Sequence, residues 1–597
     1  MITVLFSIFR EGIQNSAYSF AHGDVFETGK SVVLKWVVTE PPDQETLKDL
    51  VEVLGVPRVI AKILYNRGIT SLEDAKLFFK SDWDDLYDPF LMKDMDKAAD
   101  RVIRALQQKE RIFIYGDYDV DGITGVSLLI LFLREQGGDV VFYIPNRLQE
   151  GYGLSIAGIE QAFNVGAKLL ISVDCGITGF DEVDMAQQRG IDVIVSDHHE
   201  PSSTLPDSIA ILDPKREDCP YPFKELAGVG VAFKLVQAVS QKLNLDEKAY
   251  RQYIDLVALG SAADIVPMID ENRLLVKKGL ESINRHERLG IRALVDSSGL
   301  SRKKIGTGQI VFILAPRINA VGRMGNAERA VRLLINDSEQ QARNIANILE
   351  SENRNRKSID EETFQEALEL IGSVYDEESD HAVVLSKEGW HSGVIGIVAS
   401  RIAEHVYRPT IMIAVENGIG KGSARSISNF DIYSALQTCE QYLLGFGGHR
   451  YAAGLTIELD KIDPFREAFK KAASEMVTED DLIQRLRVDA EIALSEITPK
   501  LIRILNQFAP FGPQNMRPVF LSRNLQVVGT PRIVGKNHLK FRVRQKGGEV
   551  FDAIGFDLGK LHYCLTPGEE NLDIVYVVEE NYWNDQVKIQ LRVKDLR

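Results

Sequence analysis

The sequence predicts an α/β multidomain protein with a parallel-sheet domain, a long connecting helix, a second α/β domain and a C-terminal β domain. Three observations predict it. Short Val- and Ile-rich runs alternate with helix-periodic stretches in the first half of the chain. A polar segment from Ser338 to about Leu370 then carries Ala342, Ile345, Ala346, Ile348 and Leu349 at helical spacing. From about residue 485 the pattern changes to strict two-residue alternation, as in Leu539-Lys-Phe-Arg-Val-Arg544 and Gln586-Val-Lys-Ile-Gln-Leu-Arg-Val593.

The parallel sheet rests on three runs. Arg111–Gly116 leads into Asp117-Tyr118-Asp119-Val120-Asp121-Gly122, Lys168–Val173 leads into Asp174, and Ile191–Ser196 leads into Asp197-His198-His199. Runs of this length and composition suit strands buried on both faces. The stretch from Ile123 to Gln136 places Val126, Leu129, Ile130 and Leu133 on one helical face. Strand and helix in alternation mean right-handed crossovers, with functional residues gathered at the carboxyl ends of the strands. The three polar clusters are therefore expected at one sheet edge. A fourth, Asp264, follows the apolar segment Tyr253–Gly260, read as a helix running into a loop.

Three carboxylates spaced two apart cannot all stay ionised at close range unless cations or protons neutralise them. Taken singly, Asp174 or Asp264 reads as a helix cap or turn residue, and His198-His199 is ambiguous. Their combination in consecutive strand–helix units points to a two-metal hydrolase centre. Mixed carboxylate and imidazole donors suit manganese, or magnesium in the more oxygen-rich position.

Composition is consistent with this. A chain of 597 residues is too long for one core, and 45% hydrophobic with 26% charged residues is ordinary for a water-soluble protein. Cys175, Cys219, Cys439 and Cys564 show no paired spacing, which argues against a zinc site or disulfide framework. No apolar run reaches the ~20 residues needed to cross a bilayer, so a cytoplasmic protein is expected. The net charge of −16 argues superficially against a nucleic-acid partner. Yet residues 302–332 carry seven basic side chains, Arg302, Lys303, Lys304, Arg317, Arg323, Arg329 and Arg332, against one acid, Glu328. A basic channel in an acidic shell would repel duplex while a groove tracks a single strand; a solvated basic helix face is the plainer alternative.

Here the motifs resemble a known family. Gly116–Gly122, Val173-Asp174-Cys-Gly176, Asp197-His198-His199 and Gly260-Ser-Ala-Ala-Asp264 are similar to the four motifs of the DHH phosphoesterase superfamily. Trp390–Gly396, Gly420–Ser426 and Gly445–Gly454 resemble its DHHA1 substrate-binding module. The combination, over about residues 34 to 597, resembles the RecJ family of single-strand-specific 5′–3′ DNA exonucleases. The resemblance implies two divalent ions, Mn2+ or Mg2+, held by Asp119, Asp121, Asp174, His198 and Asp264, with Asp174 bridging. His199 and Asp117 are then catalytic, His199 contacting the phosphate and stabilising or protonating the leaving group. Arg147, Ser423 and Arg425 match the family's terminal-phosphate pocket, Arg317 and Arg323 would line the entrance, and His449 would lie near the nucleotide. Without the resemblance Arg147 reads as a surface loop arginine and His449 as a packed loop residue. The implied partners are single-stranded DNA, a single-strand-binding protein and a RecQ-type helicase, in DNA repair and recombination; no membrane partner is implied. The rival activities are hydrolysis of cyclic dinucleotides or short oligoribonucleotides, and DNA binding by a non-catalytic replication scaffold.

The expected organisation follows. Residues 1–33 lack a sustained period and the features of a signal peptide, and read as an extension, disordered or ahead of the true translation start. Residues 34–335 form the DHH domain, with two or three short helices at 45–80 and a helical cap at 271–335. A connecting helix occupies 336–372, the DHHA1 domain 373–478 and an OB-like nucleic-acid-binding domain 485–597. Phe541 or Tyr582 would stack on bases there, although a half-exposed sheet of any kind shows the same alternation.

Overall fold

The computed structural model describes residues 34–597 apart from 148, 324–325, 378 and 584–585. The expected extension at 1–33 lies outside the described residues. Residues 86–482 form one compact unit, and residues 34–85 together with 483–597 form a second.

In the first unit, five parallel strands lie in the order β2-β1-β3-β4-β5, where β1 is Arg111–Gly116, β2 Asp139–Tyr143, β3 Leu169–Val173, β4 Asp192–Ser196 and β5 Ala210–Leu212. The sequence reading found the three central strands and missed the two edges. Strand β5 is only three residues long, too short for a period to show. Every residue of β3 is buried, as expected for a strand covered on both faces.

Helix α1 spans Val120–Glu135, starting earlier than Ile123 because Asp119 caps it: its side chain accepts from the backbone N–H groups of Asp121 and Gly122. Asp121 is thereby placed in the first helical turn, packed inward. Helices α2 (Ile156–Asn164), α3 (Gly228–Lys242) and α4 (Ile254–Ala263) follow, and Asp264 is the residue that ends α4.

Beyond Ala315–Arg323 (α5), the connecting helix α6 runs from Glu339 to Val374, 36 residues, or about 54 Å at 1.5 Å per residue. The second α/β domain has β6 (Val383–Glu388), α7 (Ile395–Val406), β7 (Thr410–Glu416), β8 (Ile419–Arg425), β9 (Gly445–His449) and β10 (Ala452–Glu458). The order is β9-β10-β8-β7-β6, parallel only between β6 and β7. The glycine-rich segments Gly420–Ser426 and Gly445–Gly454 lie largely in strands β8, β9 and β10. Glycine suits them where side chains from the neighbouring strand cross the backbone: a Cβ at Gly422 would lie 2.6 Å from Leu455.

In the second unit, Phe520–Val527, Glu570–Trp583, Gln586–Leu596, Phe551–Gly555 and His538–Arg544 pair in succession, and the last pairs back to the first, closing a five-stranded OB-like barrel. Strand alternation turns Leu539, Phe541 and Val543 inward and Lys540 and Arg542 outward. Phe541, expected to stack on bases, is instead a core residue at 3% exposure. The side chain of Tyr582 lies outside the described residues.

The N-terminal helices also depart from expectation. Gln44–Leu54, Arg58–Tyr65 and Leu72–Lys80 belong with the barrel, not with the catalytic domain. Ile60, Ile63 and Leu64 share a core with Leu501, Leu505 and Phe508, and Lys35–Val38 pairs in parallel with Arg485–Val488. The apolar face of Arg58–Tyr65 was legible; which surface covers it was not, because nonpolar burial has no directional preference. Among the described residues no helix is long and apolar enough to cross a membrane.

Candidate metal centre

The ladder of the parallel sheet continues one residue past each strand and sets the site. Asp117 N–H donates to Val173 O at 3.2 Å, Asp174 N–H to Ser196 O at 3.0 Å, and Asp197 N–H to Leu212 O at 3.0 Å. Three aspartates thus stand side by side at the carboxyl edge. Asp174 adopts a left-handed backbone with φ of 63°, which Asp tolerates better than most residues and which redirects its side chain out of the strand alternation. Helix α1 brings Asp119 and Asp121, and the end of α4 brings Asp264.

Three groups of potential ligand atoms result, each within 4.8 Å: Asp121, His198 and Asp264 in the first, Asp117, Asp119 and Asp174 in the second, and Asp174, His198 and His199 in the third. His198 Nε2 lies 3.1 Å from Asp174 Oδ1, 3.6 Å from Asp264 Oδ2 and 3.7 Å from Asp121 Oδ2, so Asp174 faces both of the first two groups. Asp117 Oδ1, Asp174 Oδ1 and His198 Nε2 are buried without a hydrogen-bond partner. Buried orphan acceptors aimed at one another are costly unless a cation joins them, which is the condition a divalent ion meets. The donor set, carboxylate-rich with one imidazole, fits Mn2+ or Mg2+.

The electrostatics agree. Burial and the neighbouring carboxylates raise Asp117, Asp174 and Asp264 well above the ordinary range, and Asp121 to about 7. Asp121 is partly relieved by the N-terminus of α3, whose Gly228 and Val229 N–H groups donate to its carboxylate at 2.6 and 3.0 Å. Burial, and then the charge on His199, pushes His198 down to about 3, leaving the neutral ring that a metal requires. At His199 burial opposes protonation, but the hydrogen bond and charge of Asp197 outweigh it and push the ring up to about 9. Asp197 Oδ1 lies 2.7 Å from His199 Nδ1 and accepts from the His198 N–H at 2.8 Å, while Oδ2 accepts from Ile177 N–H at 3.0 Å.

A chelator should lower the melting temperature, and more at pH 8 than at pH 5. The raised carboxyl pKa values mean that the ion-free fold is stabilised below the ordinary carboxyl range near pH ~4 and loses that stability as pH rises through about 7. Excess Mn2+ should close the gap; thermal melts that are the same with and without chelator at both pH values would contradict the ion-binding cage.

Above the carboxylates, arginines from separate segments converge. Arg425 donates to Ser423 Oγ at 2.9 Å and to Ala424 O at 2.7 Å, and Arg323 donates to Gly393 O at 3.1 Å. Arg147, on the loop after β2, stacks over the Tyr118 ring at 5.1 Å. Burial, then Arg147, Arg356 and Arg425, pushes Arg323 down to about 9, and burial, then Arg147, pushes Arg425 to about 10. A bound anion would relieve both the burial and the mutual repulsion of these cations. Gly396 permits the close approach: a Cβ there would meet Arg425 at 2.8 Å and Ser423 at 2.9 Å.

The structure does not bring every expected residue into this group. Arg317, expected at the entrance, is buried in an ion pair with Glu350 of the connecting helix at 2.6 Å, because α5 packs its polar face against α6. Arg332 pairs with Glu328 one helical turn away at 2.6 Å, so the basic segment 302–332 is not one continuous patch. His449 lies near enough to Arg425 and His199 to feel their charges, and its Nδ1 accepts from Tyr451 N–H at 3.3 Å. Sequence reasoning missed the α3 N-terminus, for which Ala227-Gly228-Val229-Gly230 ahead of an apolar helix was a signal, and Arg356 of the connecting helix. It left Asp117 outside the ligands, whereas its carboxylate completes the second group.

Parallel sheet, acidic edge and appended mixed-sheet domain define the class, a metal-dependent phosphoesterase of the DHH type. Family models agree: the DHH family N-terminal domain matches residues 111–261, the DHHA1 domain residues 379–475, and the RecJ OB domain residues 488–595. The single-stranded-DNA-specific exonuclease RecJ of Bacillus subtilis (strain 168) is 39% identical over 565 residues, covering 94% of this chain and 70% of that protein. The crystal structure of RecJ from Thermus thermophilus in complex with Mn2+ superposes with a TM-score of 0.81 at 30% identity, covering 94% of this chain and 79% of that one. Its Mg2+ complex gives 0.74 at 27% identity, covering 94% and 78%. The chain belongs to the RecJ family of single-stranded-DNA-specific exonucleases.

Proposed function

We propose that this protein removes mononucleotides from the 5′ end of single-stranded DNA by metal-dependent hydrolysis of the phosphodiester bond. The observation that carries this reading is the placing of Asp174 between two of the ligand groups, with buried ligand atoms that have no hydrogen-bond partner in both. Asp119, Asp121, Asp174, His198 and Asp264 hold two divalent ions, and Asp117 joins the second group. When bound, the ions neutralise phosphoryl charge and make water a stronger nucleophile at neutral pH.

The chain's own groups do the rest. Asp197 fixes His199 by Nδ1, which leaves its other edge to stabilise or protonate the leaving oxygen. Arg147, Arg323, Ser423 and Arg425 take the terminal phosphate, and occupancy of that pocket decides which strand end reaches the centre. His449 lies along the same path. Arg317, paired with Glu350, ties α5 to the connecting helix instead of touching the strand. A single-strand-binding protein and a RecQ-type helicase, as suppliers of unpaired strand, belong to the same proposal, as do a cytoplasmic location and a role in repair and recombination.

The test of polarity is digestion of a long strand labelled at either end, with Mn2+, against the same sequence as blunt duplex. Arg425→Ala should lower kcat/KM on 5′-phosphorylated strands by roughly 10- to 150-fold, the equivalent of about 1.5–3 kcal/mol for hydrogen bonds to charged groups. Strands with a 5′-hydroxyl should lose far less. Equal loss on both removes the pocket from the reading, and release of label from the 3′ end first reverses the polarity.

A further inference from the structure

Tyr152 stands beside the reacting centre without a part in the reading above. It lies on the loop between β2 and α2, between two glycines with φ of 86° and 91°, Gly151 and Gly153. Neither glycine crowds a neighbour, so what they supply is the left-handed backbone that turns Tyr152 out of the loop. The loop is held firmly. Glu150 accepts from Asn146 N–H at 2.7 Å, from the Tyr143 hydroxyl at 3.0 Å and from Ser155 Oγ at 2.6 Å, and the Tyr115 hydroxyl donates to Gly153 O at 2.9 Å.

From this frame the Tyr152 hydroxyl reaches the centre. It donates to the backbone carbonyl of Asp174 at 3.2 Å, since a carbonyl can only accept. Its lone pairs are thereby left to face the His199 ring, 3.0 Å from Nδ1 and 3.3 Å from Nε2, with the two rings edge-to-face at 5.5 Å. One oxygen thus touches both the segment that carries the shared carboxylate and the imidazole beside it. Asp197 holds His199 at Nδ1, and the Tyr152 hydroxyl, nearer to Nδ1 than to Nε2, braces that same edge of the ring and leaves Nε2 for the leaving oxygen. The same loop carries Arg147, so the group that meets the strand end and the group that orients His199 share one scaffold.

We infer that Tyr152 is a positioning residue for the hydrolysis, locking the orientation of His199 relative to Asp174 through its hydroxyl. The inference rests on the role given to His199 above. Removing the hydroxyl keeps the ring, the loop and every ligand, and leaves His199 free to swing about its Asp197 bond. The expected consequence is a loss in kcat of roughly 5- to 100-fold, the range for one well-placed hydrogen bond, with KM for single-stranded DNA unchanged.

The experiment is Tyr152→Phe in the full chain with Mn2+, assayed on a 5′-phosphorylated strand and on the same strand whose bridging leaving-group oxygen at the first linkage is replaced by sulfur. A thiolate leaves without help, so the variant should be slow on the oxygen strand and close to wild type on the sulfur strand. A merely structural loss would slow both equally and overturn the inference, as would a kcat within twofold of wild type on the oxygen strand. Tyr152→Trp, which keeps a large ring without an oxygen in that place, should behave as Tyr152→Phe; recovery of kcat in it would also overturn the inference. His199→Ala run in parallel separates the two layers: if it keeps full activity the His199 role itself fails, whereas a slow His199→Ala beside a normal Tyr152→Phe removes only the role of Tyr152.

Discussion

Asp174→Asn should abolish hydrolysis while single-stranded DNA is still bound. Asparagine is the informative replacement. It tolerates the left-handed backbone that Asp174 adopts, with φ of 63°, so the loop after β3 keeps its shape and only the charge is lost. Alanine would add backbone strain and confuse the result. Because Asp174 faces both of the first two ligand groups, losing its charge weakens two ion sites at once. Loss of even an outer-shell partner typically costs about 10- to 100-fold, so at least that much, and more for a shared ligand, is expected in kcat. Calorimetric titration with Mn2+ should show weakened binding, and a fluorescence assay should show DNA affinity within a few-fold of wild type. Turnover within tenfold of wild type would remove Asp174 from the centre.

Phe508→Ala should destabilise the second unit by about 3–5 kcal/mol, the range for a large aromatic truncated in a core. Phe508 is fully buried, with the rings of Phe78 and Phe79 edge-on at 5.3 and 5.4 Å and the Arg67 guanidinium 4.7 Å over its face. The truncation therefore opens a cavity between the N-terminal helices and the barrel. Amide exchange should accelerate across residues 44–80 and the barrel strands together. Faster exchange in residues 44–80 alone, with the barrel unaffected, would show that the two segments do not share one core.

That second prediction marks a boundary of what could be read from residues in a row. The helices near residue 50 were legible as amphipathic segments, but their partner lies more than four hundred residues on, and an apolar face carries no address. The same limit misplaced Phe541: alternation was plain, yet which face of Leu539–Arg544 closes the barrel depends on the pairing around it. Arg317 was legible as a basic residue near the site and was claimed by Glu350 only once α5 and α6 packed.

By itself the sequence determined the chemistry of the centre. Strand–helix alternation obliges residues at strand ends to meet at one edge, so Asp117, Asp174 and His198 were bound to converge whatever the details of packing. Tertiary structure alone decided which carboxylate faces which neighbour, that α3 lends its N-terminus to Asp121, and that Tyr152 reaches His199. Those depend on distances between segments far apart in the chain, set by the packing of whole layers, and no local pattern encodes them.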